Sequence, residues 1–562
     1  MIHNNKYKIY TLIVLAALSG CTKLDEKLNN TLTNQQTAAA LGASGTGLLL
    51  NTAYSDVAGP MNDVEQLINV ASNTSDESLV ATRAGDWDDN GKWRATHAHT
   101  WDADLVAARL VFNNLNKINF DATNVLAFNP TPSQAAEARF LRAYALYNLL
   151  DIYGQFPFRN PGDNLLNAPK VYIGSEGTDF IISELTDILP DIPASNPNLN
   201  YRGTQDAVKF LLMRCYLNKG AFANRAAPTF DDADMQQVIT LGNEIINSGH
   251  YSYTPNFFDN FSAYNQERTK EAIWAYDNAT GKTGTNIDMR SFWHRTLHYN
   301  SYVPKAPNAG WNGFSTVADF YNTFSLTGTT AQTPDDTLLD TRIGGRYYGG
   351  VTNVSGLRPG LLIGQQYDAS NNKLHYRGWD PTTGDGPNDK LLSFDPVIAA
   401  DMKETVPGHL EVTGIRVLKW APDHTNDGGA DTYAGEKIAK NDLILFRYAD
   451  AVLMVAEAMM RKASPDNAGA LALVNGLRAA RGAAPLPSMT LVSATNYDPL
   501  TLLAERGREL YYEYVRRTDL IRFGVYTRPW AYKPVDNAKY LLFPIPSQAL
   551  AANPNLKQNP GY

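Results

Sequence analysis

The stretch Glu137-Ala-Arg-Phe-Leu-Arg-Ala-Tyr-Ala-Leu-Tyr-Asn-Leu-Leu-Asp-Ile-Tyr153, with Gly154-Gln-Phe-Pro157 behind it, decides how this chain is to be folded. Leu141, Ala145 and Leu149 recur every fourth residue and share one helical face, and Phe140, Tyr144 and Tyr147 form an aromatic ridge beside it. Gly154 and Pro157 then end the pattern. A helix with small and aromatic residues on adjoining faces needs a partner helix on each.

Such partners follow it along the chain. Ala207, Leu211 and Cys215 give the same period from Thr204 to about Asn218, and Met235 to Asn247 gives another, closed by Ser248-Gly249. Helical pattern returns at Tyr448–Arg461, about Pro465–Arg481 and Pro499–Arg517, with Asp498 placed to cap the last and Pro499 suited to its first position. Paired helices with short links predict a mostly α fold of helical hairpins of the tetratricopeptide kind, although no clean 34-residue consensus repeats. Between about 250 and 440 the periodicity fades and Gly, Pro, Asn, Thr and Tyr crowd together with most of the tryptophans. Long irregular stretches within a compact protein usually carry function.

The N-terminus has its own logic. Lys6 and Lys8 precede an apolar run from Thr11 to Leu18, and Leu18-Ser19-Gly20-Cys21 closes it. About eight apolar residues are too few for a membrane span, which needs about 20, so the segment reads as a secretion signal. Leu-Ser-Gly-Cys resembles the bacterial lipobox, which implies cleavage before Cys21 and acylation of that cysteine; multiple acyl chains anchor stably. The expected organisation is a lipoprotein signal peptide at 1–20, a lipidated tether at 21–44 and a single domain at 45–562, with helical repeats at about 45–250 and 442–530 around a loop-rich insert at about 250–440.

Composition narrows the function classes. The 562 residues are 44% hydrophobic and 19% charged, enough to bury a large core. Net charge is −8, and removing residues 1–20, which hold Lys6 and Lys8 and no acid, leaves −10. No long basic run offers phosphate contacts, so nucleic acid is not an expected partner. With Cys21 lipidated, only Cys215 remains; it lies in an apolar helical run and reads as a buried structural thiol.

Several motifs, taken in order, resemble the SusD/RagB-like outer-membrane lipoproteins. They are Glu137–Tyr144 with Gly154-Gln-Phe-Pro157, Phe446–Ala458, Val474–Gly482, Glu505–Glu513, Asp519–Gly524, Phe543-Pro-Ile-Pro546 and the ending Asn553–Tyr562. With the lipobox they span nearly the whole chain. The resemblance implies helical pairs carrying an irregular ligand-binding part, a cell-surface position on the outer membrane, and partnership with a SusC-like TonB-dependent barrel. It further implies a lid that binds a nutrient oligosaccharide, or a peptide in the same role; a surface glycan hydrolase is a distant third.

Catalysis is not expected. Glu505 and Glu509 share a helix face, but Arg506 and Arg508 beside them would lower their pKa values, whereas glycoside hydrolysis needs one raised. No nucleophile elbow, His-Glu-x-x-His or phosphate loop occurs. His97, His99 and Asp102 lack a further clear ligand for a metal, and Asp423, Asn426, Asp427 and Asp431 lack the spacing of an EF-hand, so neither a metal nor a cofactor is assigned and structural calcium has no support.

Tryptophans in polar, Gly-containing loops are better candidates, because sugar C–H faces stack on flat rings and sugar hydroxyls seek planar polar partners. Trp87, Trp311 and Trp379 are the expected platforms, with Asp86, Asp88, Arg295 and Arg377 as hydroxyl or charge partners, and Trp293 a further exposed ring. Trp101, Trp274 and Trp420 are expected to be packed, Trp101 opening an amphipathic helix.

Overall fold

The computed structural model describes residues 34–164, 166–278, 290–299, 301, 310–325, 340–344, 358–367, 372–376, 390–405, 410–421 and 441–562. Cys21, Arg377, Trp379 and the Asp423–Asp431 loop lie outside these residues.

The fold is mostly helical and grows from the segment quoted first. That segment lies in α3 (Pro132–Tyr153), which follows α1 (Asn34–Asp56) and α2 (Val106–Leu126). Thr131 caps α3 by accepting from Gln134 N, Gln134 returns the bond, and Pro132 fills the first turn where no N–H is needed. Gly154 ends it in the left-handed region, φ 72°. Nearly every side chain from Ala136 to Tyr153 is buried, so α3 is covered on all sides. Its buried charges are paired: Glu137 accepts from Tyr54 and Arg202, and Arg142 meets Glu184.

The stack continues by neighbours. α2 packs on α3, α3 on α4 (Gly174–Ile188), α4 on α5 (Gln205–Ala223), and α5 on α6 (Asp232–Ile246). The chain then leaves the stack and returns about 200 residues later, where α7 (Tyr448–Arg461) packs directly on α6. The two helices approach closely at Gly242, where a Cβ would stand 2.2 Å from Val455 Cγ2. α8 (Asn467–Ala480), α9 (Leu502–Leu510) and α10 (Arg516–Arg522) complete the frame.

The excursion is tied at its stem. β5 (Ala272–Tyr276) pairs antiparallel with β12 (Leu443–Arg447), Tyr276 opposite Leu443 and Trp274 opposite Phe446. Trp274 meets Phe140, Tyr144 and Phe446 with ring centroids 4.9, 4.9 and 5.0 Å away, which fixes the stem to α3. Each such pair adds about 0.5–1.5 kcal/mol beyond its burial.

The other strands form two-stranded patches. β1 (Leu79–Val80) pairs with β6 (Phe314–Ser315), and β2 (Thr82–Arg83) with β10 (Lys403–Glu404). β3 (Gln155–Phe158) pairs with β4 (Lys170–Ile173), β7 (Gly360–Leu362) with β11 (Arg416–Leu418), and β8 (Gly364–Gln365) with β9 (Ser393–Phe394). The β1–β6 and β2–β10 patches bring the 79–83 segment against 314–315 and 403–404, where the candidate site lies.

Three expectations need correction. The helix predicted over Pro499–Arg517 is broken into α9 and α10, because Tyr512 and Tyr514 take φ of 58° and 65°. Contacts from elsewhere hold the break open: Glu513 accepts from Lys419 and Arg447, and Tyr511 donates to Arg342 O. The cap of α9 is Thr501, not Asp498, whose carboxylate accepts from Leu500 N instead. Trp101 is buried as expected, but its helix begins only at Val106.

Candidate functional site

Just after β2 the chain turns through a run of unusual backbone. Ala84, Trp87, Asp89 and Asn90 have φ of 57°, 60°, 41° and 57°. A bulky residue such as tryptophan seldom adopts this conformation, and such strain persists only where surroundings over-determine it. Arg83 anchors the chain at the start of this run. Buried, it donates to Asn312 O (2.9 Å), Thr413 Oγ1 (2.5 Å), Thr413 O (2.8 Å) and Leu410 O (3.2 Å), so one guanidinium ties two distant segments to its own. Burial pushes its pKa down to about 10. Arg416 repeats the device, donating to Asn312 Oδ1 at 2.7 Å and Ser315 Oγ at 3.0 Å.

Trp87 and Trp311 are brought together. The Trp87 indole N–H donates to Trp311 O at 2.7 Å. Half-buried Trp87 rests edge-on against Trp93 and Phe314, at 5.3 and 5.6 Å between centroids. Gly313 makes room for it: a Cβ there would stand 2.4 Å from Trp87 Cε2. Trp311 keeps 38% of its surface exposed, with the His294 ring 5.5 Å away. Exposed Asp86 beside Trp87 accepts from the Tyr299 hydroxyl. Beyond Tyr299, His298 bonds Glu411 at 2.9 Å, and burial and the Glu411 charge raise the pKa of Tyr376. The result is a surface where the Trp87 indole is tied to the Trp311 backbone, with the partly exposed Trp311 ring, a tyrosine and carboxylates beside it.

The remaining sequence candidates fall in different places. Asp88 lies next to the platform and is paired with Arg94 at 2.8 Å. Arg295 departs from expectation: it is 2% exposed, with its guanidinium over Phe292, Phe314 and Tyr512, and its carbonyl accepts from Gly313 N and Phe314 N. It braces the platform from below and cannot reach a surface ligand. Trp293 is likewise fully buried, as is Trp93 from the polar-looking Lys92-Trp-Arg94 run. Trp379 and Arg377 follow Tyr376 in sequence but lie outside the described residues. Sequence reading missed Gly313 and Arg416, and no local signal marks either.

His97 and His99 are core residues with both ring nitrogens engaged. His97 bonds Ser78 O and Ala531 O; His99 bonds Asp536 and Thr74 O, and burial pushes its pKa down to about 4. Cys215 is buried, which pushes its thiol up.

Glu505 and Glu509 sit in the centre of a buried ion lattice. Glu505 meets Arg342, Arg478 and Arg508 at 2.8, 2.7 and 2.6 Å; Glu509 meets Arg342, Arg447 and Arg481 at 3.0, 2.6 and 2.8 Å. Burial alone would raise both carboxyls, but the surrounding guanidinium groups hold them well below the usual carboxylate range. Glu457, between Arg522 and Arg461, is held near 2 in the same way. Carboxylates kept ionised and sealed from solvent are unsuited to proton transfer.

The C-terminal run also has a structural place. Asn559 donates to Tyr153 O and Phe543 O, Gln155 donates to Lys557 O, and Trp101 donates to the Tyr562 hydroxyl. The tail therefore closes over the end of α3 and the Gly154-Gln-Phe-Pro157 turn.

Comparison with known proteins agrees with this architecture. The pattern of the SusD family matches residues 270–562. The starch-binding protein SusD of Bacteroides thetaiotaomicron is 26% identical over 477 residues, 81% of this chain and 78% of that protein. A solved SusD superfamily protein from Parabacteroides distasonis superposes with a TM-score of 0.64 at 17% identity, covering 95% of this chain and 100% of that one. The surface glycan-binding protein A from Bacteroides thetaiotaomicron, solved in complex with laminarihexaose, gives 0.61 at 17% identity, covering 92% of this chain and 99% of that one.

Proposed function

Because the chain belongs to the SusD family, we propose that it is a non-catalytic glycan-binding lipoprotein of the outer-membrane surface, anchored through Cys21. It holds a nutrient oligosaccharide against Trp87 and Trp311 and forms the lid of a SusC-like TonB-dependent barrel. The observation that carries the ligand class is the Trp87–Trp311 pair, in which the Trp87 indole is held to the Trp311 backbone carbonyl and the Trp311 ring is left partly open to solvent. A sugar ring laid on Trp311 removes apolar C–H and ring surface from water, while Asp86 and Tyr299 offer oxygen partners to its hydroxyls. Because Arg83 and Arg416 hold Asn312, next to Trp311, and Gly313 and the Trp311 carbonyl seat the Trp87 ring, little ordering cost falls on binding.

The names of the relatives support this ligand class, since one binds starch and one was solved with laminarihexaose. The arginine-ringed Glu505 and Glu509 support a role without turnover. Among the described residues no helix is long and apolar enough to cross a membrane, which fits attachment through the lipid.

Affinity electrophoresis of the Cys21→Ala chain through gels holding starch, laminarin and a panel of other neutral polysaccharides tests the ligand class. Retardation in at least one gel, without new reducing ends on long incubation, is the expected result. Retardation by none, with binding of a peptide mixture instead, would transfer the lid role to peptide import. Release of product, abolished by Glu505→Gln, would overturn the non-catalytic reading. Gentle solubilisation of outer membranes should bring the barrel down with the wild-type protein; recovery of each separately counts against the lid.

A further inference from the structure

A second cleft lies on the helical frame, built from residues that take no part in the aromatic platform. It encloses about 340 Å³ between α2 and the loop that joins β3 to β4, and its walls include Asn116, Phe120, Thr123, Asn124 and Arg159. That volume falls within the ~300–1,000 Å³ of small-molecule sites.

The cleft is formed in advance. Asn119 on α2 donates to Pro157 O at 3.1 Å, which fixes the helix to β3. Arg159 donates to Asn164 O and Asn167 O, and the Asp163 carboxylate accepts from Asn160 N at 2.7 Å, so the loop wall is tied within itself. Asn116, Phe120, Thr123 and Asn124 recur at helical spacing and form one face of α2. Phe120 is 55% exposed at the centre of this face, an aromatic ring among carboxamides and a hydroxyl. Thr123 and Asn124 are half-buried and donate no side-chain hydrogen bond to another described residue.

This lining selects for a class of ligand. The Asn116 and Asn119 amides are already given to Phe112 O and Pro157 O, but the Thr123 hydroxyl and the Asn124 carboxamide can each both donate and accept, which matches neutral hydroxyls better than it matches an ion. The Phe120 ring can take a sugar's C–H face. The opposite wall carries Pro157, Pro161 and Pro169, which have no N–H to give, so an extended peptide would find little backbone pairing there. The geometry points to a second saccharide site on the α2 face, centred on Phe120 and Asn124 and separate from the Trp87–Trp311 platform. It goes beyond the proposed function and shares with it only the class of ligand. Two sites on one chain would let a repeating polymer be held at both, raising avidity without any tighter individual contact.

The test uses the full chain with 4-fluorophenylalanine at position 120, alone and combined with Trp87→Ala and Trp311→Ala. The probes are laminarihexaose, maltohexaose, cellohexaose, xylohexaose and mannohexaose. At least one should shift the ¹⁹F resonance saturably, should do so equally when both tryptophans are gone, and should need at least fivefold more sugar in Asn124→Ala of unchanged melting. If tryptophan fluorescence reports sugar binding at the platform while the position-120 resonance stays still, the second site is refuted and the first stands. If casein tryptic peptides move the resonance and no sugar does, the cleft is a peptide site and the inference is wrong. If no sugar is registered at either place, both assignments fall.

Discussion

Gly313→Ala separates the geometry of the aromatic platform from its composition. No ring is deleted and no charge is altered; the substitution adds one methyl group where the backbone shows no left-handed φ. That methyl would stand 2.4, 2.5 and 2.9 Å from Trp87 Cε2, Cζ2 and Nε1, distances that force the indole to move. Moving it breaks the 2.7 Å bond to Trp311 O and disturbs the edge contacts with Trp93 and Phe314. Loss of that hydrogen bond costs about 1 kcal/mol and the overpacking about 1–3 kcal/mol, spread over a large domain. A ring that no longer meets the sugar loses about 1–3 kcal/mol of binding, so affinity should fall roughly ten- to hundredfold. Calorimetric titration with a bound oligosaccharide, beside a melting curve, measures both effects. Wild-type affinity in a Gly313→Ala protein whose tryptophan emission shows Trp87 displaced would refute the reasoning, because ring position would then not matter.

Other outcomes follow from the same structure. Glu509→Gln removes a charge shared by Arg342, Arg447 and Arg481, and should cost about 3–5 kcal/mol in denaturant unfolding because buried guanidinium groups lose their partner; a loss under 1 kcal/mol would show that water reaches the lattice. Glu77 is fully buried beside the Asp76–Arg516 pair, and burial pushes its pKa from 4.5 up to about 7. Its folded value lies above its unfolded one, so its ionisation costs nothing below about pH 4.5 and the full amount above about pH 7. Glu77→Gln should therefore gain on wild type by about 3 kcal/mol as pH rises through that window, read from urea midpoints at both ends; an equal gap at both pH values would contradict the shift. Cys21→Ala should release the protein from the membrane fraction, and retention there would refute lipid anchoring.

What the sequence disclosed and what it withheld follow from where the determining contacts lie. Helices such as α3 and α7 were legible because each carries its own signal, an apolar period with local stops at Gly154 or after Arg461. The break at Tyr512–Tyr514 was not, because Lys419, Arg447 and Arg342 impose it from outside the helix, and tertiary contact overrides local propensity. The same distinction holds at the candidate site. Composition picked out Trp87 and Trp311 separately, yet their hydrogen bond joins residues 224 apart. Arg295 looked like a surface group in Phe292-Trp-His-Arg295; it is buried because Tyr512 and Phe314 close over it, and neither neighbours it in sequence. The motifs that signalled the family are framework: the buried Arg–Glu lattice, the α3 helix and the tail that covers its end. They reveal kinship and say nothing of the ligand.

The most direct test is the titration of laminarihexaose, maltohexaose and the other neutral hexasaccharides into wild-type protein and into Trp87→Ala/Trp311→Ala. At least one sugar is expected to bind the wild type in the micromolar range, about −8 kcal/mol, and to be recovered uncut. The double variant, melting as wild type does, is expected to lose at least tenfold in affinity at that site. A folded double variant that binds every sugar as tightly as wild type, or a wild type that binds none, would contradict these expectations.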